Sequence, residues 1–222
     1  MTVAERGVIM KKLLWILAPM AMAGASANAA TITGLFNTGT DSNNVALVGG
    51  NGTVDPHYSI FSSTSPGFAG QQAVTFQCCY VADDADSRWV SLSANGNPGS
   101  NVTFYRLSFS LAGLDPTTAS ISGSGGSDNA GRIFLNGVDT GIDINGFSAL
   151  VPFVLNSGFV AGVNTLDIRV SDFGAPTAFR IDNLTGTASP MSGIPEPAVW
   201  AMLIAGFGLI GGAARRRPLA AA

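Results

Sequence analysis

The sequence predicts an all-β body, built as an antiparallel β-sandwich or jelly roll, with one apolar helix at each end of the chain. Three observations point there. Apolar and polar residues alternate with a period of two through the middle of the chain. Turn-forming residues punctuate these runs, and 28 glycines with only 11% charged residues suit helices poorly. No stretch of the middle carries a convincing 3.6-residue period.

By composition the 222 residues divide into 1–29, a body at 30–190, a linker at 191–194, a segment at 195–217 and a tail at 218–222. Both lysines, Lys11 and Lys12, lie in the first part, and Arg215, Arg216 and Arg217 close the fourth. Residues 30–193 hold five Arg, twelve Asp and neither Lys nor Glu, so their charge is 5 − 12 = −7. A body of that length is one domain and buries a core without staples. Its acidic sign excludes a nucleic-acid binder, which needs a basic face.

At the N-terminus Lys11-Lys12 precedes an apolar run, and small residues end in Ala27-Asn28-Ala29. That order is the one a signal peptidase reads, so cleavage is expected after Ala29, with Ala27 and Ala29 recognised. The run is too short for a comfortable bilayer span. Met10 serves as a start as well as Met1, because residues 1–9 add nothing a signal peptide needs. The mature chain is expected to be exported.

Within the body, strands are expected at 45–48, 58–61, 73–81, 88–92, 104–111, 118–122, 133–135, 147–155, 166–171 and 179–187. Tyr105, Leu107, Phe109 and Leu111 share one face of their run, as Leu166, Ile168 and Val170 do. Phe147, Ala149, Val151, Phe153 and Leu155 form a third such set. Asn136-Gly137 after an apolar run signals a tight hairpin turn. Residues 122–131, SGSGGSDNAG, read as a flexible loop.

Residues 198–214, AVWAMLIAGFGLIGGAA, run seventeen positions without a charge. They are expected to form a transmembrane helix of about 25 Å, slightly short of a hydrocarbon core of about 30 Å. The three arginines that follow hold that end on the cytoplasmic side and leave the body outside. Pro195-Glu196-Pro197 stands before the helix, and its prolines keep the chain extended and open to a processing enzyme. Tripeptide, helix (with Trp200-Ala201-Met202 and Gly206-Phe207-Gly208) and Arg run together resemble the PEP-CTERM sorting signal. The resemblance implies recognition by an exosortase, a membrane enzyme that removes or exchanges the tail. It also implies a precursor held transiently at the inner membrane, in Gram-negative bacteria that make exopolysaccharide.

From 82 to 188 the chain resembles a module common in PEP-CTERM proteins. The carrying stretches are DADSRW at 84–89, FYRLSF at 104–109, DNAGRIFLNG at 128–137 and GFVAGVNTL at 158–166. The arrangement implied is similar to galactose-binding-like jelly rolls, which often bind sugars and host many other functions.

Catalytic chemistry is poorly provided for, and no enzyme is expected. The body has His57 alone, without Lys or Glu, so a Lys Schiff base and a two-His metal centre are excluded. A Ser-His-Asp triad lacks its Gly-x-Ser-x-Gly elbow. His57 reads as a structural loop residue. Asp83, Asp84 and Asp86 offer hard oxygens for calcium, which takes six to eight, and Asp128 with Asn129 adds more. Solvated turn carboxylates are the plainer reading of that cluster.

A sugar site needs an aromatic plate and a few polar groups. Trp89, Tyr105 and Arg132 are its candidates, although Trp89 heads an apolar strand that favours burial. Arg132, Arg169 and Arg180 contact a glycan on that reading, or neutralise Asp167, Asp172 and Asp182 on the plainer one. Cys78 and Cys79 are adjacent, and strand neighbours point to opposite faces, so one buried and one exposed thiol are expected. A vicinal disulfide and a link to another chain stay open in an oxidising compartment.

Together these features describe an exported protein of the cell surface or extracellular matrix, processed by signal peptidase and exosortase. Its body is expected to be structural or to bind exopolysaccharide. A secreted polysaccharide-acting enzyme using Asp83, Asp84 or Asp86 is one alternative. The other is a purely structural surface protein without ligand, whose mark is burial of Trp89 and of all three tyrosines.

Overall fold

A computed structural model describes residues 28–191 and 197–215. The expected signal segment with Ala27, the residues Pro195, Glu196, Arg216 and Arg217, and the tail at 218–222 lie outside the described residues. The strands are β1 (Ala30–Thr31), β2 (Val54–Ser63), β3 (Gln72–Thr75), β4 (Val90–Ser91), β5 (Asn101–Ser110), β6 (Ser120–Asp128), β7 (Ala130–Leu135), β8 (Val138–Asp143), β9 (Gly146–Leu155), β10 (Val163–Asp172) and β11 (Ala178–Ala188). A single 3-10 turn, Pro116–Thr118, precedes β6, with Asp115 as its N-cap.

All pairings are antiparallel, in the order β8-β7-β10-β5-β2-β3-β4-β11-β6-β9, with β1 added on β11. One continuous sheet therefore curls into a nearly closed, barrel-like body. This corrects the expectation of a two-sheet sandwich or galactose-binding-like jelly roll. The reason lies in β4, whose two residues pair with β3 on one side and β11 on the other and so join what would be two sheets. Register shifts leave extra residues on β2, β8, β9 and β11, and these irregularities add the bend that closure requires.

Where one face is buried, the alternation holds. β5 and β10 pair without a break from Val163↔Ser110 to Asp172↔Asn101. Tyr105, Leu107 and Phe109 enter the core from β5, and Leu166, Ile168 and Val170 enter it from β10. Asn136 and Gly137 take left-handed φ values of 52° and 78° and join β7 to β8 as the tight turn expected of them. In β9 only Phe153 and Leu155 are buried, while Phe147 and Val151 are exposed, so the expected set holds over its C-terminal half alone.

Four local expectations are overturned. Residues 122–128 are strand β6 and 130–131 open β7, with only Asn129 between them: β6 pairs with both β11 and β9, and its glycines leave room for large neighbours. A Cβ on Gly125 would come within 3.0 Å of Ile144 and Ile181, and one on Gly126 within 3.0 Å of Trp89. The expected strand at 73–81 stops at Thr75, because Phe76 and Tyr80 turn inward to pack with Trp89. The run at 45–48 contributes one isolated bridge, Thr40↔Ala46. His57 lies in β2 rather than a loop, stacked 3.6 Å from Phe36.

Ala30 pairs with Ala188, so the two ends of the body leave it side by side. Beyond them α1 (Pro197–Arg215) forms where the uncharged segment predicts a helix, with proline at its first position. Among the described residues no helix is long and apolar enough to cross a membrane.

Candidate functional site

The acidic loop before β4 is organised by two arginines. Asp83 turns to one side, where Oδ2 accepts from Arg88 Nε at 3.1 Å and Oδ1 from the Trp89 amide at 2.9 Å. Arg88 also donates to the carbonyls of Leu47 and Gly49. Asp84 turns the other way. Its Oδ1 accepts from the amide and hydroxyl of Ser87, and its Oδ2 is bound by Arg180 Nη2. Arg180 reaches the loop from β11, buried, and donates to Ser87 Oγ and the Ala82 carbonyl as well.

The expected calcium set is thereby divided. Asp83 leaves it, and Asp182 of β11 enters, with one carboxylate oxygen each of Asp84, Asp86 and Asp182 within 4.8 Å of one another. A hydrogen bond to Asp84 is the first cause that raises the Asp86 carboxyl above its ordinary pKa. Burial pushes Asp84 up, but its hydrogen bonds with Asp86 and Ser87 and the charge of Arg180 outweigh burial and bring it below the ordinary value. The Arg180 guanidinium, on Asp84 and 3.8 Å from Asp182, thus already offsets part of the cluster's negative charge. These groups suit an ion-pair clasp better than a divalent cation, which would meet the Arg180 charge.

The aromatic candidates are corrected too. Trp89 and Tyr105 are 0% exposed and offer no plate to a sugar. Trp89 donates its Nε1–H to the Val81 carbonyl at 2.8 Å and packs on Tyr80, 4.6 Å between centroids. Tyr105 packs on Phe179 at 4.4 Å inside the barrel. Tyr58 and Tyr80 are buried as well, at 0% and 7% exposure. Arg132 is held across the β7–β8 hairpin, its Nε 2.8 Å from Asp143 and its Nη1 3.4 Å from Asp139. Arg106, which the sequence reading passed over, makes a two-pronged bond to the buried Asp167 at 2.6 and 2.7 Å. The register places Asp167 directly opposite Arg106, a pairing visible only once β5 and β10 are aligned.

The barrel stays open between β8 and β9, the two ends of the sheet. A cleft of about 280 Å³ lies along that seam. Val138, Ile142 and Val154 give it apolar walls, and Asp139, Thr140 and Asn156 give it polar groups. The sequence carried no signal for it, since it exists only because closure fails at this point.

Cys78 and Cys79 are both exposed, with their sulfurs 2.6 Å apart. The expectation of one buried thiol fails because the pair lies on a bend after β3 and not in a strand.

The body is followed by an apolar helix that ends at Arg215, and this end of the chain carries a sorting signal. The signal is a particular one: residues 193–217 match the PEP-CTERM protein-sorting motif. The motif marks the chain as exported and sorted to membrane or surface, and it implies processing by an exosortase. No curated protein matches the chain. Among solved structures, the Stig cyclase Fisc from Fischerella sp. TAU, in complex with (3Z)-3-(1-methyl-2-pyrrolidinylidene)-3H-indole, overlaps 73% of this chain and 98% of its own. That overlap has 13% identity and a TM-score of 0.41. A β-glucosidase from Kluyveromyces marxianus overlaps 67% of this chain and 21% of its own, at 12% identity and a TM-score of 0.28. At these scores neither overlap carries an argument about this chain.

Proposed function

We propose that the body is a structural, non-enzymatic unit that is delivered outside the inner membrane and passed by an exosortase to the cell surface or extracellular matrix. One observation carries the structural part. Trp89, Tyr58, Tyr80 and Tyr105 are all buried, so every Trp and Tyr of the body serves the core. The body's acidic charge and the pairing of four of its five arginines with aspartates fit a soluble surface that does not seek anionic polymers. The exposed apolar side chains of α1, ended by Arg215, support a transient hold of the precursor at the inner membrane.

The seam cleft favours a second reading, in which a polysaccharide lies across Asp139, Thr140 and Asn156 over an apolar floor. Affinity electrophoresis of the purified chain separates the two. The gels would contain a panel of polysaccharides, including the host's own matrix polymer, with calcium or with chelator. The structural reading expects unchanged mobility in every gel. Retardation by one polymer, lost on Asp139→Ala with Asn156→Ala, would replace it with the binding reading.

A further inference from the structure

We propose that Cys78 and Cys79 form an intrachain thiol–disulfide site, which closes to a vicinal disulfide outside the cytoplasm by exchange with a small-molecule or protein disulfide.

The chain has no other cysteine, so each thiol has only its neighbour or an external partner. Both are exposed, so an external disulfide reaches them. Their sulfurs already touch. The bend that carries them is pinned on both flanks. On one side the Gln77 amide donates to Asn51 Oδ1 at 2.9 Å, and Asn51 Nδ2 donates back to the Gln77 carbonyl at 3.1 Å. The Phe76 amide is bonded to the Trp89 carbonyl at 2.9 Å. On the other side the Tyr80 ring lies among Phe76, Trp89 and Phe147, and the Val81 amide donates to the Phe147 carbonyl at 2.7 Å. A loop held this way keeps the second sulfur beside the first, at an effective concentration that no free thiol matches.

The exchange balances in two steps. One cysteine thiolate attacks a sulfur of the external disulfide RSSR, forms a mixed disulfide and expels RS⁻, which takes up the proton the cysteine gave up. The neighbouring thiolate then attacks the cysteine sulfur of that mixed disulfide and expels the second RS⁻, again protonated. The pair loses two protons and two electrons, and RSSR becomes two RSH. The second step also makes any crosslink to another chain short-lived, since the adjacent thiol resolves it.

The test uses the purified full chain, reduced, desalted and incubated with oxidised glutathione. Free thiols are then trapped with iodoacetamide, followed by intact-mass measurement and a non-reducing gel. The expected product is a monomer lighter by two hydrogens, without glutathione and without alkylation. Cys78→Ser and Cys79→Ser, both at exposed positions, should each accumulate a single glutathione adduct or a disulfide-linked dimer. The proposal is overturned if the wild type carries two adducts, takes two alkyl groups or runs as a dimer. It is equally overturned if the single variants match the wild type. The readout is independent of polysaccharide binding, so it stands or falls apart from the proposed function.

Discussion

Arg180 and Asp84, far apart in the chain, form the clasp that holds the acidic loop against β11. The arginine side chain is 2% exposed and the aspartate side chain 45%. That asymmetry sets what each substitution costs. Removing the carboxylate with Asp84→Ala leaves a buried guanidinium short of its closest counter-charge, which costs about 3–5 kcal/mol. Removing the guanidinium with Arg180→Met leaves Asp84 open to water and puts an apolar chain of similar length in its place. The second variant should therefore lose less, roughly 2 kcal/mol. Urea unfolding of both variants checks the order, and equal losses would mean that the pair is not asymmetric in energy.

The same geometry forecasts indifference to calcium. Asp84, Asp86 and Asp182 are gathered, but Arg180 Nη2 sits on Asp84 and 3.8 Å from Asp182. A divalent cation would have to displace a fixed positive charge. The melting temperature of the wild type should not move between millimolar calcium and chelator. Arg180→Met clears the charge and should gain a calcium-dependent rise. A rise in the wild type would restore the calcium site.

Gly126 tests the reading of β6 as a strand that needs missing side chains. A Cβ there would lie 2.8 Å from the Gly146 carbonyl oxygen and 3.0 Å from Leu150 and Trp89. Backbone yields poorly to such a clash, so Gly126→Ala should cost about 1–3 kcal/mol. Gly50, with nothing within 4 Å of its Cβ position, is the control. Gly50→Ala should be neutral or stabilise by up to about 1 kcal/mol through the unfolded chain. Thermal melts of the two variants decide whether β6 is packed or loose.

What the sequence made legible follows from the range of the forces involved. β5 and β10 were readable because each buries one face, and burial prints a period of two. The Asn136-Gly137 turn was readable because two successive left-handed residues demand that pair. β6 was misread because local glycine content signals freedom, whereas here the close approach of Trp89 and Ile144 needs it. The single curled sheet was invisible because it depends on two residues of β4 pairing both ways. The acidic loop was found at the right place with the wrong grouping. Arg180 and Asp182 come to it from the last strand, and nothing local shows that Asp83 and Asp84 part company.

Asp128 gives the stability of the fold a pH dependence whose sign is fixed by its surroundings. Burial is the first cause that raises its pKa above the ordinary 3.8, and the charge of Asp172 adds to it. Asp172, buried beside it at the end of β10, is raised by burial in the same way. A carboxyl whose folded pKa lies above its unfolded value binds its proton more tightly when folded. Its stabilising contribution is fully present below about 3.8 and fades as the pH rises through the folded value. Asp128→Asn keeps the shape and the Oδ1 acceptor for Asn129 Nδ2, and it never ionises. Below the unfolded value the two proteins should unfold at similar urea concentrations. On raising the pH to 7 the wild-type midpoint should fall relative to the variant, because only the wild type must then hold a charge where water is excluded. A wild-type midpoint that rises relative to the variant over the same range would show that the folded state favours the ionised carboxylate, and that burial at the end of β6 does not govern this group.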